Sequence, residues 1–490
     1  MRSAIIKLIL VVAGGAWCTF IFYQEDMGLN ALFFVVPILL LAFATTYQTG
    51  PYQKEVAITA VGAFLSALAV VGNDTVLAKS MYWVSILLFI GFIKHASIRF
   101  LPLAFTASLA SLIFVPLRMV REYTGAIHWT NSPHYTIKKA VGWSIPLGLF
   151  TLFLLIYYLA NDKFAGMVDT VFDFIFTPNN QSIAFEQVAL FLIGFLLVGA
   201  MFFKHPFSNS LSKRQDQLHT DLIRNRKKRF LSFFSPLILK SRFKLSIITL
   251  TLLNALICLV NLTDLVYVWF SRRALSASEL SLYVHEGTNL LIFAILLAAI
   301  ILLVIFRKNL NFFPDNEGLK KLAYIWLGQN MFMVLSVAIR NFQYTHNFGL
   351  TYKRIGVFIF LLIVLIGLVT LLLKIRDRKS HYFLWHRNSW AVYLVLLTAG
   401  LINWNLLITR INLNPNYTKN LDIQYLINDL PSQNAYLLDR KAQHLQQQFP
   451  IQFNNLKTRI DRKMRRACSG RSIYSWNWPY HQNRKYRERK

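Results

Sequence analysis

Apolar residues along this chain are gathered into blocks, each about as long as the roughly 20 residues a helix needs to cross a bilayer core, and the polar residues are collected between them. Inside the blocks neither the one-sided spacing of a soluble surface helix nor the period-two alternation of an outer-membrane strand is present. The pattern predicts an all-α, polytopic transmembrane helix bundle. Its segments are expected at 4–22, 31–46, 56–71, 76–93, 101–117, 140–159, 185–203, 245–270, 288–306, 322–338, 355–373 and 390–407. Pro102 and Pro116 bracket the short fifth block, so this segment is expected to dip into the bilayer and return, leaving about 11–12 membrane segments in all. After 407 the hydropathy drops. Residues 408–490 read as an extramembrane piece with two short amphipathic helices, the first capped by Asp422 and ended by Pro431, followed by a basic, aromatic tail.

The polar runs orient the bundle. Residues 204–244 hold eleven Lys and Arg against Asp216 and Asp221, which places this loop in the cytoplasm. The basic runs 307–321 and 374–387 fall on the same side, while Glu25 and Asp26 fall outside. With the fifth segment re-entrant, the N-terminus is cytoplasmic and the tail is outside. Arg2 and Lys7 precede a first block with no small-x-small cleavage site before "FYQEDMGLN", so that block is expected to stay as a helix.

Composition agrees: 55% of the residues are hydrophobic and 15% aromatic. The net charge of +30 lies largely in loops and tail, where it meets the lipid bilayer through anionic headgroups. No nucleic-acid motif accompanies it, so no nucleic-acid partner is expected. Cys18, Cys258 and Cys468 lie far apart and suggest neither a disulfide framework nor a metal cluster, and no metal or cofactor is expected.

Polar residues inside the apolar blocks are the candidates for chemistry. In "NLTDLVYVWF" Asp264 shares a helical face with Asn254 and Asn261, and an acid at membrane depth points at protein, water or an ion. The next block opens with "SLYVHEGTNLLIF", bringing Tyr283, His285 and Glu286 to the same side. They supply either a proton relay or cation site, or a headgroup-zone helix start with Glu286 at its N-terminus. Trp326, Asn330 and Asn341 share a face of the tenth block, with Gln329 and Arg340 beside it. Arg340 is expected to reach the headgroups, ahead of the alternative of pairing with Asp264. Asp264 is expected to face the bundle interior, taking either a proton or a donor such as Arg340. "HEGTN" lacks the second His of a zinc protease, since Asn289 stands there, and no phosphate-binding or nucleophile motif occurs. "FGLTYKR" predicts a turn at Gly349 with Thr351 capping the next helix.

Taken as a set, "QEDMGLN", "NLTDLVYVWF", "YVHEGTNLLIF", "RKNLNFF", "WLGQNMFMVLSVAIRN", "FGLTYKRIGVF", "INWNLLITRINL" and the terminal "SWNW" resemble the bacterial membrane proteins grouped as domain of unknown function 4173, related to 4153. The likeness covers most of the chain. It is densest over 245–407, within a bundle 1–407. It implies a bacterial inner-membrane protein of many helices and brings no activity, substrate or cofactor. Three functions stand on the residues: a transporter or ion-coupled permease using Asp264, a non-enzymatic scaffold or signalling component, and, last, a membrane-embedded enzyme acting on lipid or lipid-linked sugar. The absence of a reaction motif weighs against an enzyme.

Overall fold

The computed structural model describes residues 2–46, 54–94, 98–124, 163, 166–168, 170, 185–203, 217–222, 235–270, 277–306, 309–313, 316–414, 421–448 and 453–490. The segment expected at 140–159 lies outside them, as does most of the basic loop 204–234. The described residues are helical throughout, apart from turns and one isolated bridge between Asp221 and Lys379. Among the described residues seven helices are long and apolar enough to cross a membrane, or eight if one bent pair is a single span. The protein is a polytopic helix bundle.

Chain contacts divide it into two compact units, Met1–Gln217 with Ser469–His481, and Leu218–Cys468 with Gln482–Lys490. The first contains α1 (Arg2–Phe22), α2 (Leu29–Thr46), α3 (Lys54–Asn73), α4 (Val76–Lys94), α5 (Leu101–Thr124) and α6 (Phe185–Phe202). Glycines let α1 and α6 approach closely: a Cβ on Gly14 would collide with Val198, and one on Gly194 with Cys18. Such close backbone contact replaces the hydrophobic driving force that lipid removes. The α5 helix is continuous over 24 residues, with Pro116 inside it. It therefore does not turn back within the segment as the bracketing prolines suggested.

Residues Ser469–His481 form a strap on this first unit. Leu29 N donates to Trp476 O (3.0 Å) and Asn30 N to Tyr474 O (2.8 Å), so that carbonyls of the strap satisfy the open N–H groups at the start of α2. Arg471 reaches Asp26 (3.4 Å) and Asp74 (3.7 Å), and Asn477 donates to Asp74 Oδ2 (3.0 Å) in the α3–α4 turn. Tyr474 packs edge-on against Phe20 and Phe33.

The second unit contains α7 (Ser235–Asp264), α8 (Ala277–Ile305), α9 (Glu317–Phe348), α10 (Tyr352–Arg376), α11 (His381–Gly400) and α12 (Trp404–Asn412). The α7 helix starts ten residues before the expected span at 245, so the end of the basic loop is helical. Leu245, Ile248, Leu252, Leu256, Leu259 and Leu262 form an exposed stripe along α7, while Leu250, Asn254, Ile257 and Asp264 turn inward. An apolar stripe facing out and amides facing in is the pattern of a helix solvated by lipid. The expected last span at 390–407 is broken instead: α11 and α12 meet at 62°. Asn403 caps the second piece, its Oδ1 accepting from Leu406 N, and Trp404 Nε1 donates to Ala399 O (2.8 Å).

Beyond α12 the tail folds into helices whose Leu426, Leu438, Leu445, Leu456 and Ile460 share one core with Ile408 of α12 and Ile355 of α10. Asp422 caps the first as expected, its Oδ1 accepting from Tyr425 N (3.0 Å). Lys463, buried in α13 (Phe453–Ala467), donates to Leu426 O, Ile427 O and Leu430 O at 2.6–2.9 Å, closing the open carbonyl end of that first helix.

Candidate functional site

Two membrane helices meet along a polar seam. Asn254 Nδ2 on α7 donates to Leu322 O on α9 (3.1 Å), and seven residues further along both helices Asn261 Nδ2 donates to Gln329 O (3.1 Å). Gln329 Nε2 donates back to Asn254 Oδ1 (2.9 Å). Numbers rise together on the two helices, so they run in the same direction. Seven residues is close to two helical turns, which keeps the amides on one line. Where no water competes, an asparagine amide on a neighbouring carbonyl ties two helices together.

Directly after Asp264 the helix widens into a π-turn, Leu265–Trp269. This inserts one residue into the repeat, and Trp269 meets the next position on α9: its Nε1 donates to Ser336 Oγ (3.1 Å) and its ring stacks on Phe332. Single π-turns inside α-helices occur frequently at functional sites.

At this widened turn lies an ion pair. Arg340 Nη2 donates to Asp264 Oδ1, with Asp264 3% and Arg340 5% exposed. The expectation that Arg340 reaches to headgroups is corrected here. The α9 helix continues to Phe348, so Arg340 lies about 12 Å short of its end at 1.5 Å per residue, and it turns inward onto α7. Of the two partners considered for Asp264, the structure holds Arg340. The second carboxylate oxygen, Asp264 Oδ2, together with Asn261 Oδ1 and Gln329 Oε1, is buried without a hydrogen-bond partner among the described residues. These are acceptors only, and Asn261 and Asp264 are three residues apart on one helical face.

Other expected members separate from the seam. Asn330 is buried, but its Nδ2 donates to Trp326 O (2.7 Å) on its own helix. Asn341 leaves α9 for α10, donating to Arg354 O (3.0 Å). Tyr283, His285 and Glu286 lie on α8, and their side chains fall outside the described residues. The turn after α9 forms as the sequence suggested: Gly349 has φ +79°, and Thr351 caps α10 by accepting from Arg354 N. Asn412 adds an unforeseen brace, its Oδ1 accepting from Leu350 N (2.6 Å) and its Nδ2 donating to Leu350 O (2.9 Å).

Ser336 and Trp269 are site residues that the sequence did not point to, and Gln329, expected only beside the polar face, is a full member of the seam. The shared seven-residue step of Asn254 and Asn261 with Leu322 and Gln329 is the signal that marks them. Among the described residues no three His, Cys, Asp or Glu side chains form a metal-binding group. Chemically, the seam offers a carboxylate held by a guanidinium and flanked by amide oxygens.

No curated protein and no solved structure matches the chain. A family model does: the one described as domain of unknown function (DUF4153) matches residues 10–440. That is the family named above as related, and the match takes in both the seam and the strap's docking turns. The chain belongs to the DUF4153 family.

Proposed function

We propose that the protein is an ion-coupled permease of a bacterial inner membrane, with the Asp264–Arg340 pair as its coupling group. The observation that carries this reading is the buried carboxylate at membrane depth whose Oδ2 has no donor among the described residues. Ionisable groups inside a bilayer cost several kcal/mol and concentrate where ions or protons pass. With Arg340 in place the pair is neutral. A proton or small cation arriving at Asp264 neutralises the carboxylate and releases the guanidinium, so that occupancy of α7 leaves the charge of Arg340 on α9 unpaired. The π-turn and the neighbouring amide oxygens supply the local adaptability that such an exchange needs.

Orientation follows from the same features. The stretch 218–222 of the basic loop pairs with the α10–α11 turn through Lys379 Nζ on Asp221 (2.6 Å) and Leu222 N on Arg378 O, which supports one cytoplasmic side for both basic runs. The strap on Asp26 and Asp74 supports an outside tail. Anionic headgroups are then the partners of the Lys and Arg in these loops.

The test is ion movement in proteoliposomes holding a pH-sensitive dye, under imposed Na⁺, K⁺ or pH gradients. Wild type is expected to move protons or a cation and Asp264→Asn to lose this. Equal flux in the two proteins removes Asp264 from the mechanism. A second reading, a scaffold or signalling component, is favoured by one observation: the amides of the seam tie helix to helix within the protein. Wild-type vesicles that move no ion, together with crosslinks from loop 204–244 to a partner protein, would favour it.

A further inference from the structure

The second unit contains an apolar crevice, separate from the seam, between α8, α10 and α11. It has a volume of about 240 Å³ and is lined by Leu303, Phe360, Gly367, Leu371, Leu384 and Asn388, among others. Its depth along the helices is that of the membrane core, since α10 is one of the most apolar spans and the lining residues fall in its middle and last third. A crevice at that depth is solvated by hydrocarbon.

Three observations narrow the occupant. A Cβ on Gly367 would meet nothing within 4 Å, so the floor of the crevice is open where any side chain would begin to fill it. The polar lining residue, Asn388, is held by Thr370 (2.7 Å) and keeps hydrogen-bonding capacity, because an amide side chain has two donors and an acceptor. Arg387, the residue before Asn388 on α11, is exposed, its guanidinium 5.8 Å over the Phe383 ring and with no carboxylate partner among the described residues. The α10–α11 turn beyond adds Arg376, Arg378 and Lys379 against Asp377 and Asp221.

An apolar slot with an amide in its wall, an arginine next to that amide and a basic turn at the end of the same two helices match the three parts of a phospholipid: acyl chain, glycerol ester and phosphate. We infer that the crevice between α8, α10 and α11 is a binding site for an anionic phospholipid, with one acyl chain beside Gly367, an ester carbonyl at Asn388 and the headgroup on Arg387. Basic pockets between membrane helices take anionic headgroups, and arginine matches a phosphate with two parallel donors. The site is independent of the permease reading, because none of its residues belongs to the α7–α9 seam.

The experiment uses the full chain, delipidated in detergent, and follows thermal stabilisation on titration with dioleoylphosphatidylglycerol or dioleoylphosphatidylcholine. Wild type is expected to prefer the anionic lipid. Gly367→Leu, which puts protein where the chain lies, is expected to weaken both lipids about tenfold, or ~1.4 kcal/mol. Arg387→Gln, at an exposed position, is expected to lose only the preference. Wild type that responds equally to both lipids indicates adventitious annular lipid only and overturns the assignment. So does a Gly367→Leu protein that binds phosphatidylglycerol as wild type does.

Discussion

Arg340 and Asp264 stand 76 residues apart in sequence and form one buried ion pair where α7 and α9 run side by side. Deleting one partner leaves the other as a lone charge in a low-dielectric interior, at a cost of roughly 3–5 kcal/mol. Asp264→Asn and Arg340→Met are each expected to lower thermal stability in detergent by that order. The double variant is expected to lose less than the sum, since it leaves no orphan charge. Additive losses in such a cycle would mean that the two side chains are not coupled.

The α9–α10 turn depends on Gly349. At φ +79° and ψ 173° an alanine is strained by about 1–3 kcal/mol, and its Cβ would stand 2.8 Å from the Asn412 side-chain oxygen that braces Leu350. Gly349→Ala should therefore destabilise more than Asn412→Ala does. The two measured by thermal unfolding in the opposite order would show that the brace, not the glycine, holds the turn.

How much of this was written in the sequence depends on the range of the interaction. Apolar runs marked the membrane helices because burial in lipid demands about twenty such residues in a row. Thr351, Gly349 and Asp422 were legible because caps and turns are settled within four residues. The break between α11 and α12 was hidden by Leu401 and Ile402, which keep the hydropathy high through a 62° bend. The π-turn after Asp264 was hidden likewise, since an extra residue in the helix leaves composition untouched. Arg340 was misassigned because its sequence neighbourhood is that of any arginine near a helix end. Only the seven-residue step of the amides on α7 and α9 reports which way it turns.

Lys463 gives a pH signature. Burial holds its ammonium down to about 8, against the help of Asp429, while the unfolded chain titrates near ~10.4. Below about pH 8 both states are protonated and the burial penalty stands in full. Between there and ~10.4 the folded chain loses its proton first, the unfolded chain binds more protons, and this group's contribution to stability rises with pH. The stability difference between wild type and Lys463→Met is expected to grow over that window. A difference that shrinks as pH rises would contradict it. At neutral pH the variant should cost about 1–3 kcal/mol for the carbonyls it leaves unpaired.

Gly28 controls the strap. A Cβ there would lie 2.5 Å from Trp476 O and 2.6 Å from the Ser475 carbonyl carbon. Gly28→Ala is expected to lift the segment and raise trypsin cleavage at Arg471 in the purified protein, with α1–α6 otherwise intact. Unchanged cleavage would mean that Arg471 and Asn477 hold the strap without its carbonyl contacts to the start of α2.

The same strap places one face of the first unit. Asp26→Cys and Ser472→Cys, in a background lacking the native cysteines, should react with a membrane-impermeant thiol reagent from the same side of spheroplasts. Opposite sides would separate the strap from the α1–α2 turn.

The contact between Asn477 and Asp74 spans 403 residues. During synthesis Asp26 and Asp74 emerge long before Arg471 and Asn477 exist to meet them, and a ribosome adding about 5–20 residues per second leaves that gap open for tens of seconds. Throughout that time two membrane turns carry carboxylates without the strap that later covers them. The order of manufacture thus makes closure of the first unit a late event in the chain's biogenesis, one that waits on insertion of every helix between.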